Sequence, residues 1–172
     1  MVQSVELLLD DGLDRAVRAE WERLREAGVS SAARIRSETN RPHITLAVAT
    51  SIPPGIESHL RDRIDGAPIT VRLGGIVVFG DRHATLARLV VPTVDLLSLH
   101  RAVFASIAGC PGIPPHIRPG EWTPHVTLAR RVPADRIGPA IVATHAARQD
   151  LDGTTAGIRR WDGEAKCEWR VA

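Results

Sequence analysis

Displacing the sequence by 82 residues lays His43 on His125 and the hexapeptide PHITLA (Pro42–Ala47) on PHVTLA (Pro124–Ala129), five of six places identical. The same shift lays Val2 on Ala84 and the stretch 13–27 on 95–109. A repeat shared by strand-like and helix-like patterns points to a duplicated α+β domain, two copies of one unit about a pseudo-twofold axis. Each copy reads strand, helix, strand, helix, strand. In the first, Val2–Leu9 is a strand closed by the turn signal Asp10-Asp11-Gly12. Leu13, Val17, Trp21 and Leu24 then mark one face of a helix that stops at Gly28. HITLAVAT is a strand, Pro53-Pro54 opens a helix to about Ile64, and ITVRLGGIVVFG is a strand with a bulge expected at Gly74-Gly75. In the second copy, Ala84–Val91 is a strand, Val94–Ala108 a helix and TPHVTLARRV a strand, and Pro133 starts a helix to about Ala147. The tail reads as two strands joined at Asp162-Gly163. The halves, about 1–80 and 83–161, meet in the short turn at Gly80-Asp81, so one domain over 1–172 is expected.

Composition narrows the function classes. A formal net charge of +2, carried almost wholly by arginine, favours phosphate-bearing ligands but is far from the charge density of a nucleic-acid coat. With no tyrosine and only six Trp and Phe, a sheet that stacks rows of bases is not expected. The two cysteines, Cys110 and Cys167, support neither a disulfide framework nor a cysteine zinc site. The N-terminus has no basic leader, and no apolar run is long enough to span a bilayer, so a cytoplasmic protein without a membrane partner is expected.

The tetrapeptide pattern H-x-T-L occurs at His43, His83 and His125. Chance alone predicts about 0.04 copies in a chain of this composition. Only the first and third copies are repeat mates. His83 aligns with Met1 under the same offset and sits at the expected hairpin turn, where a histidine is ordinarily just solvated. Residues i and i+2 of a strand share a face, so His43 with Thr45, and His125 with Thr127, form two side-by-side pairs. Two imidazoles and two hydroxyls in one cleft suit phosphoester chemistry. A neutral histidine activates water, a protonated one donates to the leaving oxygen, and the hydroxyls hold phosphate oxygens. No metal or other cofactor is needed.

The paired HITL and HVTL, about eighty residues apart in a duplicated chain, resemble the 2H phosphoesterase superfamily and its bacterial 2′-5′ RNA ligase-like, RNA 2′,3′-cyclic phosphodiesterase branch. The resemblance implies two antiparallel-sheet lobes with outer helices around a central groove lined by both motifs, and no metal. It implies opening of a 2′,3′-cyclic phosphate on an RNA end or a small cyclic nucleotide. His43 would then protonate the departing ribose oxygen and His125 would activate water, with Thr45 and Thr127 holding the phosphate. The family's second motif often continues to an arginine, which matches Arg130, whereas strict strand alternation puts Arg131 on the face of His125. The first motif continues as AVAT, without the aromatic of better-known members, and Trp122 is the candidate for base stacking.

Other residues carry weaker expectations. Trp21 reads as core, and Arg41 as a further phosphate contact. His59, His100 and His145 read as partly exposed helix positions without metal-ligand spacing. His116 and Arg118 read as loop, and Arg159, Arg160 and Arg170 as surface charge. A monomer is expected. Three rival functions stand beside the phosphodiesterase: a 2′-5′ RNA ligase, a non-catalytic RNA-binding module of the same fold, and a hydrolase of 2′-5′ oligoadenylates or ADP-ribose cyclic phosphate.

Overall fold

The computed structural model describes residues 2–63, 67–144 and 149–171. The chain runs β1 (Gln3–Leu9), α1 (Asp11–Glu26), β2 (His43–Ala49), α2 (Ile56–Arg63), β3 (Thr70–Phe79), β4 (His83–Val90), α3 (Val94–Ile107), β5 (His125–Pro133), α4 (Ile137–Thr144), β6 (Leu151–Asp162) and β7 (Cys167–Arg170). Short 3-10 turns occupy Ala32–Arg34, Pro115–Ile117 and Ala134–Arg136. The expected helix ends at Ile64 and Ala147, and His145, lie outside the described residues. Asp10-Asp11-Gly12 proves to be a helix start, not a free turn. Asp10 caps α1 by accepting from Leu13 N, and its second oxygen accepts from Thr154 N on β6.

The sheet order is β2-β1-β6-β3-β4-β5, with β7 added to β6. Exchange each strand for its repeat mate (β1 for β4, β2 for β5, β3 for β6) and the order reads the same from the other end. The duplicated bilobal architecture is therefore present, yet its lobes are not the sequence halves. β3 pairs with β4 of the second half, and β6 pairs with β1 of the first. β6 also joins the lobes, since Leu151–Thr154 pair with β3 and Thr155–Asp162 with β1. The helices cross likewise: α1 packs on α4 and β5, while α3 packs on α2 and β2.

β2 and β5 end the sheet at opposite extremes, yet they touch each other. The sheet thus curls until the two motif strands meet. An edge strand carries unpaired backbone groups that need cover. Each motif strand is covered by segments from the other half of the chain. On β2, Thr50 N donates to Pro111 O at 2.9 Å and the Trp122 indole donates to Thr45 O at 3.1 Å. On β5, Ser31 bridges Ala129, and the Trp21 indole donates to Thr127 O at 3.0 Å. Gly112 permits the first of these approaches. Its φ is +70°, and a Cβ there would collide with the Thr50 side chain.

Apolar faces of the strands and helices close over one core that includes Val5, Leu7, Trp21, Leu46, Leu86, Val103 and Leu128. Ion pairs are buried with it, Arg159 with Glu6 among them. Arg88 on β4 meets Glu20 on α1 at 2.5 Å, and its Nη1 donates to Gly74 O at 2.7 Å. Arg160 on β6 reaches Glu57 and the Ile52 carbonyl. Arg159 and Arg160, expected at the surface, are 4% and 1% exposed. Burial is possible because each guanidinium finds carboxylate and carbonyl acceptors.

Candidate active site

His43 and His125 open β2 and β5, each after a proline. The proline lets the chain turn back so that His43 Nδ1 lies 2.7 Å from Arg41 O, and His125 Nδ1 lies 2.7 Å from Thr123 O. A carbonyl oxygen only accepts, so each Nδ1 carries hydrogen and each Nε2 is left for chemistry. The two rings are close enough for the charge of His43 to act on His125. Thr45 and Thr127, two residues on, are both half-buried on the same faces as their histidines.

The strands do not alternate strictly beyond the threonines. On β5, Thr127 pairs with Ala87 and Ala129 with Leu86, which are consecutive and point to opposite faces. Leu128 is therefore an extra residue, a bulge, and the phase inverts after it. Ala129 turns into the core and Arg130 comes to the face of His125 and Thr127. Its charge is among those acting on His125. A second irregularity follows, in which Arg131 takes φ +55°. Of the two candidate arginines, Arg130 is the one on the motif face, and the strict-alternation placement of Arg131 is corrected by the bulge. β2 has the matching bulge at Leu46, since Glu6 pairs with Thr45 and Val5 with Ala47. The counterpart of Arg130 there is Val48, so only one motif carries a cation.

The floors beneath the motifs differ as well. Cross-strand partners share a face, so Glu6 lies under Thr45 and Ala87 under Thr127. Glu6 is 5% exposed. Its Oε1 lies 3.6 Å from His43 Nε2 and accepts from Ser4 Oγ at 2.6 Å, while its Oε2 meets Arg159 at 2.7 Å. Burial pushes the Glu6 carboxyl up, but His43, Arg159 and the Ser4 hydroxyl together hold it below the usual range. Under the second motif, Ala87 pairs with Val77, and the Phe79 ring tilts against His125 with centroids 4.7 Å apart. Burial depresses the His125 pKa, opposed by its bond to Thr123 O, and the charges of His43, Arg130 and His116 depress it further.

Glu6 and Phe79 were missed by sequence reasoning. A lone acid inside the apolar run VELLL was the available signal for Glu6; for Phe79 there was none beyond its being one of two phenylalanines. Trp122 is half-buried, stacked on His100 at 3.9 Å and 5° with its N–H on Thr45 O, so one ring face is already covered. His100, expected partly exposed, is 1% exposed because it packs on Trp122 and bonds the Ile117 carbonyl. Trp21 is core, as expected, and also holds Thr127 O. Arg41 contributes its carbonyl to His43, and its side chain is exposed. His59, His116 and Arg118 are exposed. His83 is exposed at the start of β4, paired with Pro133, whereas His125 pairs with Leu89 six residues along. That separates the two histidines by roughly 20 Å along the strand. Glu6 and Ala87 are equivalent by pairing, an offset of 81, which sets His83 against Val2 rather than Met1. Among the described residues, no three His, Cys, Asp or Glu side chains are grouped to hold a metal ion.

Comparison with known proteins agrees with this architecture. A family model described as the 2′-5′ RNA ligase superfamily matches residues 13–165. No curated protein matches the sequence. Among solved structures, TT0787 of Thermus thermophilus superposes with a TM-score of 0.64 at 19% identity, covering 100% of this chain and 96% of that one. LigT of E. coli, solved with NADP+, gives 0.55 at 17% identity over 98% and 92% of the two chains. Usb1 of Kluyveromyces marxianus gives 0.53 at 11% over 98% and 97%. At these identities the likeness is one of fold.

Proposed function

We propose, for a chain that belongs to the 2′-5′ RNA ligase superfamily, that it is a metal-independent phosphodiesterase opening 2′,3′-cyclic phosphates of RNA ends or small nucleotides. The observation that carries this reading is the matched pair of imidazoles, each with Nδ1 tied to a carbonyl and Nε2 without a hydrogen bond, on two motif strands that meet. In the proposed step, His125 Nε2 takes a proton from water as the water oxygen bonds to phosphorus. The bond from phosphorus to one ribose oxygen breaks, and His43 Nε2 gives that oxygen its proton. Thr45 and Thr127 donate to the non-bridging oxygens, and Arg130 offsets their charge. The product is a ribose phosphomonoester. The family's other chemistry, 2′-5′ ligation, is the same exchange in reverse with an RNA hydroxyl in place of water.

Purified protein is expected to convert a 2′,3′-cyclic nucleotide to a monophosphate in the presence of chelator. His43→Ala and His125→Ala should each lower kcat by about 100-fold or more, and His83→Ala should leave it intact. Because the His125 pKa is depressed, the base stays neutral to lower pH than an ordinary histidine. The acid limb of the rate profile should therefore lie below the usual value of about 6.5. Full activity in both alanine variants would sink the reading.

A further inference from the structure

The two motifs are twofold mates, but what lies beneath them is not. Beside His43 stands Glu6 on β1, and behind Glu6 runs a chain of charges in which Arg159 on β6 bonds both Glu6 and Glu168 on β7. The formal sum is one negative charge, and the oxygen that faces His43 Nε2 belongs to Glu6. The separation of 3.6 Å suits an ion pair and is too long for a hydrogen bond, so the carboxylate attracts the proton of Nε2 without tying it up. Its own place is fixed from three sides, by burial, Ser4 and Arg159. Facing His43 from β5 is His125, around which Arg130 and His116 add only positive charge. Beneath His125 the equivalent positions are Ala87 and Val77, with Phe79 against the ring.

We infer that Glu6 is a positioning residue that makes His43 the proton donor of the pair, dividing acid from base between two otherwise equivalent motifs. The inference rests on the phosphodiesterase reading for its rate consequences, but not for its electrostatics. The buried Glu6 oxygen stands 3.6 Å from His43 Nε2, and an anion at that distance favours a protonated ring over a neutral one. A histidine over an anion holds a proton to give, and a histidine over apolar side chains among cations is left neutral to receive one.

Glu6→Gln keeps the size and the hydrogen-bonding oxygen but removes the charge, and Glu6→Asp keeps the charge. The pH dependence of kcat on a 2′,3′-cyclic nucleotide is measured for each. For Glu6→Gln the alkaline limb should move to lower pH, lowering kcat on that side by about tenfold, while the acid limb stays. Glu6→Asp should lie closer to the parent protein. An unmoved alkaline limb, a shift of the acid limb instead, or equal effects of Gln and Asp would overturn the inference. NMR titration of the histidine rings gives the same answer without turnover. The His43 midpoint should fall in Glu6→Gln while that of His125 holds, and an unmoved His43 overturns the inference. If the parent protein opens no cyclic phosphate, the functional reading fails and the ring titration still decides the role of Glu6.

Discussion

At Arg131 the backbone adopts φ +55°, a region that costs a residue with a Cβ about 1–2 kcal/mol. The neighbouring Arg130 has been brought to the motif face by the bulge at Leu128. The two side chains are identical, so their consequences separate by geometry alone. Arg130→Ala should lose a charge-assisted contact to phosphate, about 1.5–3 kcal/mol, read as roughly a 10- to 100-fold fall in kcat/KM. Arg131→Gly relieves the strained backbone against a comparable entropic cost of about 1 kcal/mol. Its melting temperature and kcat/KM should stay near those of the parent protein. Equal losses from both would contradict the inverted phase. This pair also marks the limit of what the sequence discloses. That His43 shares a face with Thr45, and His125 with Thr127, was legible because two residues within one strand need only its period of two. The bulge was not, because it depends on which partner residue each position meets.

Strands and helices were legible for the same reason, since period and breakers are local. What covers each motif strand was not, because it arrives from the other half of the chain. Trp21 and Trp122 are the sharpest case: each donates its indole N–H to the threonine carbonyl of the motif strand in the opposite half, Trp21 to Thr127 and Trp122 to Thr45. Trp122→Phe keeps the ring stacked on His100 but strands Thr45 O. The expected cost is about 1 kcal/mol, or roughly 2–4 °C in melting temperature. If the indole also holds Thr45 in place for phosphate, kcat/KM should fall beyond what the lost stability explains at a temperature where the variant is fully folded. Steady-state kinetics well below the melting point separate the two effects.

The exchange of β3 and β6 acts on the whole chain. In a fragment 1–80, β3 has neither of its neighbours, β4 and β6, and α1 lacks α4 and β5. Fragments 1–80 and 81–172 expressed separately should therefore lack cooperative unfolding by circular dichroism, and mixing them should restore it. A folded half on its own would contradict the interleaving. The same symmetry bears on how such a site can arise. Two copies of a half-chain, assembled as a homodimer, could reproduce the palindromic strand order, but an alanine at position 87 of one copy would be an alanine in both. Such a pair would carry two cation-flanked bases and no partner charged to donate. Joining the copies in one gene frees position 6 to become a carboxylate while position 87 stays small, so covalent fusion lets a symmetric scaffold place an anion beside one motif and not the other.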